Sequence, residues 1–362
     1  MTIEREHEIA QLLIAYERQQ ETSDLPERTL LYQARGQVKQ KTNDGPLDQE
    51  LVELAHNLYR GLGAWEEEIA LLRRYLRQGE MLDTTTQAWA RWHIVDCLAL
   101  LERDLDVTTE QEALYQWATT VFPLEDCFFV LSDGTQANCW LRAGQVDHWF
   151  ALYSDLAEQA AKTVQNWLDR FYCLRTATHL CFRSKDKYRL QTCLKDLSNL
   201  GQEPVEQEKW THIEIQILHI IAAHMDGNTQ LMRERAQMAI NLLWQWEPTI
   251  TTQAQQKQFR SLCHNIAAPL YRAKQYDLAI PLFQRAIAYH TNPHYSYVWL
   301  AASLWMTTRQ REQTFPLLQQ AAARYDGPGK PWEQFRKLPE FQDVKNDKEF
   351  KAIVEAGELG GK

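Results

Sequence analysis

The sequence predicts an all-α chain: an α-solenoid of about eight helix-turn-helix hairpins, closed by a C-terminal helical cap. Three observations predict it. Breakers are few, with 14 Gly and 12 Pro in 362 residues, so long stretches of Leu, Ala, Gln, Glu and Arg can stay helical. Apolar residues recur at three- and four-residue spacing, the period of one helix face. Short polar turns recur near Ser23, Gly63, Asp104, Gly144, Lys185, Gly227, Gln275 and Gln310, mostly about 40 residues apart. Two helices joined by so short a turn lie antiparallel and bury a shared face. One hairpin cannot bury both faces of its helices, so neighbours stack and the first helices of successive hairpins line one side.

Taken in order, a first helix is expected over about 3–20, and Ser23-Asp24-Leu25-Pro26 starts a second that reaches about Lys41. Proline in a first helical turn costs no hydrogen bond. Asn43-Asp44-Gly45-Pro46 is a turn signal, and Gly61-Leu62-Gly63 joins helices over about 47–60 and 65–77. An aromatic-rich helix, about 84–101, carries Trp89 and Trp92; Thr108-Thr109-Glu110 is expected to cap its partner. A helix interrupted at Asp133-Gly134 ends near Gly144, and another follows over about 146–161. Helices over about 164–182 and 188–200 flank Ser184-Lys185-Asp186, with Gly201 expected as a left-handed cap. A helix from Pro204 through Ile221 turns at Asp226-Gly227-Asn228 into one over about 231–246.

From Ser261 the grammar is clearest. Leu262, Ile266, Ala267, Leu270 and Tyr271 form one apolar face, Lys274-Gln275-Tyr276-Asp277 breaks it, and Ala279, Leu282, Phe283 and Ala286 restart it. Small residues (Ala267, Ala279, Ala286) stand where helix backbones approach. Asn292-Pro293 ends the unit. The pattern returns 35 residues on, with Thr314 for Ala279, Leu318 for Phe283 and Ala321 for Ala286. This stretch resembles the tetratricopeptide repeat (TPR) family, whose period is about 34. The expected organisation is a divergent helical-repeat array over 1–250, two TPR-like hairpins over 251–325, and a cap and tail over 326–362, in one continuous solenoid. Leu338, Phe341, Val344, Phe350 and Ile353 are available to cover the last hairpin, with Gly357 to Lys362 as a frayed tail.

The net charge of −9 argues against a general nucleic-acid binder, which needs a basic stripe. No apolar run is long enough to span a bilayer, and the charged N-terminus has no signal core, so a cytoplasmic location is expected. Seven cysteines without a Cys-x-x-Cys read as buried free thiols. Most of the 13 Trp are expected to fill gaps between helices. His7-Glu8-Ile9-Ala10-Gln11 lacks the second His of a zinc motif. Gly61-Leu62-Gly63 lacks the preceding strand and third Gly of a dinucleotide loop. No metal, cofactor or catalytic constellation is predicted, and the His212, His219 pair on one helix face reads as packing or surface.

The resemblance to the TPR family implies a ligand groove lined by the first helices. In its register the lining positions are Ser261, His264, Ala268 and Tyr271, then Ser296, Trp299, Ser303 and Met306, with Arg272 at the rim. His264, Tyr271, Arg272, Trp299, Ser303 and Met306 are therefore the expected partner-binding residues, of types common at interfaces. Where the family's chaperone-tail binders place Lys and Asn, His264 and Ala268 stand here, which argues against capture of a C-terminal carboxylate by that route. The expected function is a non-enzymatic protein- or peptide-binding scaffold. The alternatives are a peptide-sensing regulator, or an enzyme whose site is assembled across repeats.

Overall fold

The computed structural model describes residues 9–15, 29–43, 47–130, 134–203, 209–289, 294–324 and 336–359, and all their regular structure is helical. Two compact units result: Met1–Ala64 with Ala223–Lys362, and Trp65–Ala222. In the first unit residues 9–15 are helical, and α1 (Thr29–Asn43) and α2 (Gln49–Leu62) follow. The second contains α3 (Trp65–Leu76), α4 (Thr84–Leu100), α5 (Asp104–Val121), α6 (Gly134–Arg142), α7 (Val146–Thr163), α8 (Trp167–Ser184), α9 (Lys187–Leu200) and most of α10 (Lys209–Met225). The first unit resumes with α11 (Thr229–Trp246), α12 (Gln253–Arg272), α13 (Tyr276–Ala288), α14 (His294–Thr308), α15 (Arg311–Arg324) and α16 (Lys348–Leu359).

The turns are the repeating element. Seven of the expected ones lie among the described residues, and each holds one residue at positive φ: Gly63, Glu102, Gly144, Lys185, Gly227, Lys274 and Arg309. In six of them the next amide bonds back to the carbonyl five residues earlier. These are Ala64 to Tyr59, Arg103 to Leu98, Gln145 to Trp140, Asp186 to Cys181, Asn228 to Ala223 and Gln275 to Leu270, at 2.8–3.1 Å. This motif satisfies carbonyls that a helix end would otherwise leave unpaired. A side chain in this conformation costs about 1 kcal/mol, so the four non-glycine turns are held by the packing on either side.

Packing follows chain order within each unit. In the second unit α3 to α5 and α7 to α9 pack successively, and the first helices α4, α6 and α8 also touch in sequence. In the first unit α12 to α15 pack successively, α12 also meets α14, and α16 covers α15. Ala267, Ala279 and Ala286 are fully buried, as their close-approach positions require. Trp140, Trp149 and Tyr153 form a buried stack with ring centroids 5.3 and 5.0 Å apart, and Trp140 Nε1 donates to Gln111 Oε1 at 3.0 Å. All seven cysteines are free and buried.

Ion pairs tie successive hairpins together at about the repeat distance. Arg142 holds Asp104 at 2.7 Å, Arg233 holds Asp277 at 2.7 Å, and Arg285 holds Glu247 at 2.8 Å. Arg73–Glu110 and Arg309–Asp343 extend the pattern. Exposed pairs contribute only about 0.2–1 kcal/mol each, so the series sets register more than stability.

Several local expectations need correction. Thr108 does not cap its helix: α5 starts at Asp104, directly after the Glu102 turn, and Thr108 Oγ1 donates to the Leu105 carbonyl at 2.8 Å. Asp104 and Asp106 in the first turn suit a helix N-terminus. Gly201 is not left-handed, with φ −65° and ψ −11°; a Cβ there would stand 3.1 Å from Ile215 Cδ1, so glycine provides clearance. Residues Leu124–Val130 form a 3-10 segment rather than part of one long helix. Gly357 is not in a frayed tail, because α16 runs to Leu359. In the cap, Phe341, Val344, Phe350 and Ile353 are buried. The Ser23 turn, His7 and Glu8, residues 44–46, Pro204 and 292–293 lie outside the described residues.

Candidate functional site

Helix α12 begins with a full capping box: Thr252 accepts from the Gln255 amide, and the Gln255 side chain accepts from the Thr252 amide. Its buried face is Phe259, Leu262, Cys263, Ile266, Ala267 and Leu270. His264 and Tyr271 flank that face, seven residues apart, and so about 10 Å apart along the axis. Trp299 on α14 enters this interval. Its ring stacks on His264 at 5.0 Å and 22°, and on Tyr271 at 5.8 Å and 10°. Two rings of α12 therefore stack on the indole, and Phe283 meets it at a steep angle at 5.9 Å. The Arg272 guanidinium lies 5.8 Å from the Trp299 centroid, within cation–π range.

The polar atoms are as ordered as the rings. His264 Nδ1 is 2.8 Å from Ser296 Oγ. Burial, with Arg260 and Arg272 nearby, pushes the His264 imidazole down to about 4, so it is neutral at pH 7. Ser303 is fully buried, and its hydroxyl donates to the Trp299 carbonyl at 2.7 Å. Met306 is 36 % exposed, and its sulfur accepts from Arg309 at 3.8 Å. Tyr271 is 7 % exposed; burial first, then the Glu340 carboxylate, pushes its hydroxyl upward. Of the six residues singled out by register, His264, Tyr271, Arg272 and Trp299 thus form one cluster. Ser303 is sealed one turn behind Trp299, and Met306 stands two turns along α14.

Two participants escaped the sequence reading. Phe283 reads as core in any periodicity argument, and it is core, with one ring edge on the site. Glu340 sits in the 3-10 turn Pro339–Phe341 beyond the last repeat, where no period can assign it a role.

Counting back from the left-handed turn residues reveals a second junction of the same kind. His264 is ten residues before Lys274, and Ser296 is thirteen before Arg309. In the second unit Arg175 is ten before Lys185, and Glu214 is thirteen before Gly227. Arg175 Nε pairs with Glu214 Oε2 at 3.1 Å. Burial raises the Glu214 carboxyl, against the opposing pull of Arg175. One turn along α8, burial together with Arg175 and Arg183 pushes His179 down to about 3. His219 lies 3.0 Å from Ser198, whose own proton goes to the Leu194 carbonyl at 2.8 Å; with Ser296 2 % exposed, neither Ser–His pair presents an activated nucleophile. No described helix is long and apolar enough to cross a membrane.

No protein-family model and no curated protein matches the chain. Among solved structures, the chain is similar to one described as "Crystal Structure of Rap Protein Complexed with Competence and Sporulation Factor", at 10% identity and a TM-score of 0.40, over 98% of each chain.

Proposed function

We propose that this chain is a non-enzymatic protein- or peptide-binding scaffold of the cytoplasm that works through the first-helix face of α12 and α14. The observation that carries the reading is the His264–Trp299–Tyr271 stack with Arg272 at its edge. It sets aromatic edges and a guanidinium on a rigid face, the residue types that anchor interfaces at low entropic cost. Arg272 and Met306 are the contact residues at the surface, and Trp299 is half-buried. His264, Tyr271 and Ser303 hold the Trp299 ring in place. The buried free thiols fit a reducing compartment.

The test is selection from a random displayed-peptide library on the immobilised full chain, followed by calorimetry. Selected peptides are expected to lose at least about tenfold in affinity to Arg272→Glu and Met306→Glu. Gln284→Glu, at an exposed position on the second helix α13, should leave them unchanged. Equal loss at all three positions, or no selectable peptide, would refute the reading.

A further inference from the structure

Arg91 on α4 extends its guanidinium over the ring of Trp117 on α5, 4.8 Å from the centroid. The residue is half-buried, and of its three side-chain nitrogens only Nε is closed off from solvent. Among the described residues Arg91 has no ion pair and no hydrogen bond. The carboxylate that acts on it electrostatically, Glu110, is itself paired with Arg73. Burial pushes the Arg91 guanidinium below its ordinary value, and Glu110 opposes this only in part. Other arginines of the same unit are neutralised: Arg103 by Glu66 and Asp106, Arg142 by Asp104, Arg170 by Glu203. The chain holds 48 acidic residues against 39 Lys and Arg, so a shortage of acids does not leave Arg91 unpaired.

An apolar surface runs on from that guanidinium. Trp117 meets Phe122 edge-on at 5.8 Å, and Phe122 meets Phe129 edge-on at 5.4 Å. All three rings are half-buried. Val121 and Leu124, either side of Phe122 in the chain, are 44% and 41% exposed. Phe122 caps the end of α5, and the 3-10 segment Leu124–Val130 packs on α5 and α7, so the rings stand on ordered backbone. Arginine and the large aromatic residues are the types enriched in protein interfaces. A guanidinium stacked on a ring can still offer its planar fork to a carboxylate as two parallel hydrogen bonds. An acid with a large apolar side chain beside it would meet both halves of this surface. A phosphate would meet the guanidinium and leave the rings uncovered.

We propose that Arg91, Trp117, Phe122 and Phe129 form a second docking surface, for a partner-protein segment that sets an Asp or Glu side chain next to a large apolar one. Arg91 takes the carboxylate, and Phe122 and Phe129, with Val121 and Leu124, receive the apolar side chain. The surface lies wholly within the second unit. It is independent of the α12 and α14 reading, so either can fail alone.

The experiment titrates the full chain, followed by NMR, with N-acetyl-aspartyl-phenylalaninamide, N-acetyl-asparaginyl-phenylalaninamide, N-acetyl-aspartyl-glycinamide and inorganic phosphate. The asparaginyl probe keeps the shape and removes the charge; the glycinamide probe keeps the charge and removes the ring. The aspartyl-phenylalanine probe is expected to bind about three- to tenfold more tightly than either. Arg91→Gln should abolish the preference for the acid, and Arg91→Met should do the same, each with the parent's circular dichroism spectrum because neither breaks an ion pair. Arg77→Gln, at an exposed position just after α3, should retain the preference. Equal binding of the aspartyl and asparaginyl probes, no gain from phenylalanine over glycine, or a preference that survives Arg91→Gln overturns the surface. So does phosphate binding more tightly than the aspartyl-phenylalanine probe.

Discussion

Two first-helix junctions occupy the same register and use opposite chemistry. In the first unit, the position ten before the turn is His264, and it meets Ser296 as a neutral pair between aromatic rings. In the second unit, the same position is Arg175, and it meets Glu214 as an ion pair with Arg183 and His179 nearby. At these two junctions the backbone therefore delivers the same two register positions to one another, and residue type decides what each junction can hold. The neutral junction is self-satisfied and stiff. The ionic junction carries a carboxylate that depends on its arginine.

The largest test of that difference removes one partner from each junction. Arg175→Met should cost about 2–3 kcal/mol, because it leaves Glu214 buried at 8 % exposure without its counter-charge; Arg175 is itself 35% exposed, which keeps the figure below that of a sealed pair. Adding Glu214→Leu should recover most of the loss. At the neutral junction, the double change His264→Phe with Ser296→Ala should stay within about 1 kcal/mol of the parent. Urea unfolding of the four proteins reads the comparison, and equal single and double costs at Arg175 and Glu214 would break it.

Acid should separate the junctions next. His264 and His179 are both held below the ordinary imidazole value of 6.5, to about 4 and about 3. The unfolded chain takes up protons below 6.5 that the folded chain refuses, so stability is complete above that pH and falls as pH drops. The His264 share stops growing near pH 4, and the His179 share near pH 3. The shifts bound these shares at about 3 and about 5 kcal/mol, and the half-buried state of both rings leaves only part of that. Stability measured from pH 7 to 3 should decline less steeply in both His264→Gln and His179→Gln than in the parent, and between pH 4 and 3 the difference should go on growing only in His179→Gln.

A smaller effect distinguishes the last two hairpins. Thr314 stands where Ala279 stands one repeat earlier; both are fully buried, and the Thr314 hydroxyl has no hydrogen-bond partner. Thr314→Val keeps the shape, removes that hydroxyl, and should stabilise by about 1 kcal/mol in thermal unfolding. The smallest effect concerns the turns. Lys185→Gly should gain up to about 1 kcal/mol by relieving the left-handed backbone, and Gly144→Ala should lose a similar amount.

How much was legible follows from what carries each signal. Gly63, Gly144 and Gly227 mark their turns because glycine is the visible residue of a left-handed position. At Glu102, Lys274 and Arg309 the pattern of breakers points one or two residues downstream of the true turn residue, since nothing in those side chains announces positive φ. Gly201 carried the same visible mark for a different reason, its clearance from Ile215. At the candidate site, helical spacing put His264 and Tyr271 on one stripe and Trp299 on the next. It could not show that the indole would stack on both other rings, since that depends on the offset of α14 against α12. Glu340 was illegible for a simpler reason: it comes from a turn outside the repeat.

The central claim is that the first helices of the hairpins carry the binding face. Hydrogen exchange on the full chain, with and without a saturating selected peptide, tests it most directly. Added protection is expected in α12 and α14, with α13 and α15 unchanged. Protection confined to α13 and α15, or an unchanged pattern at saturation, would contradict it.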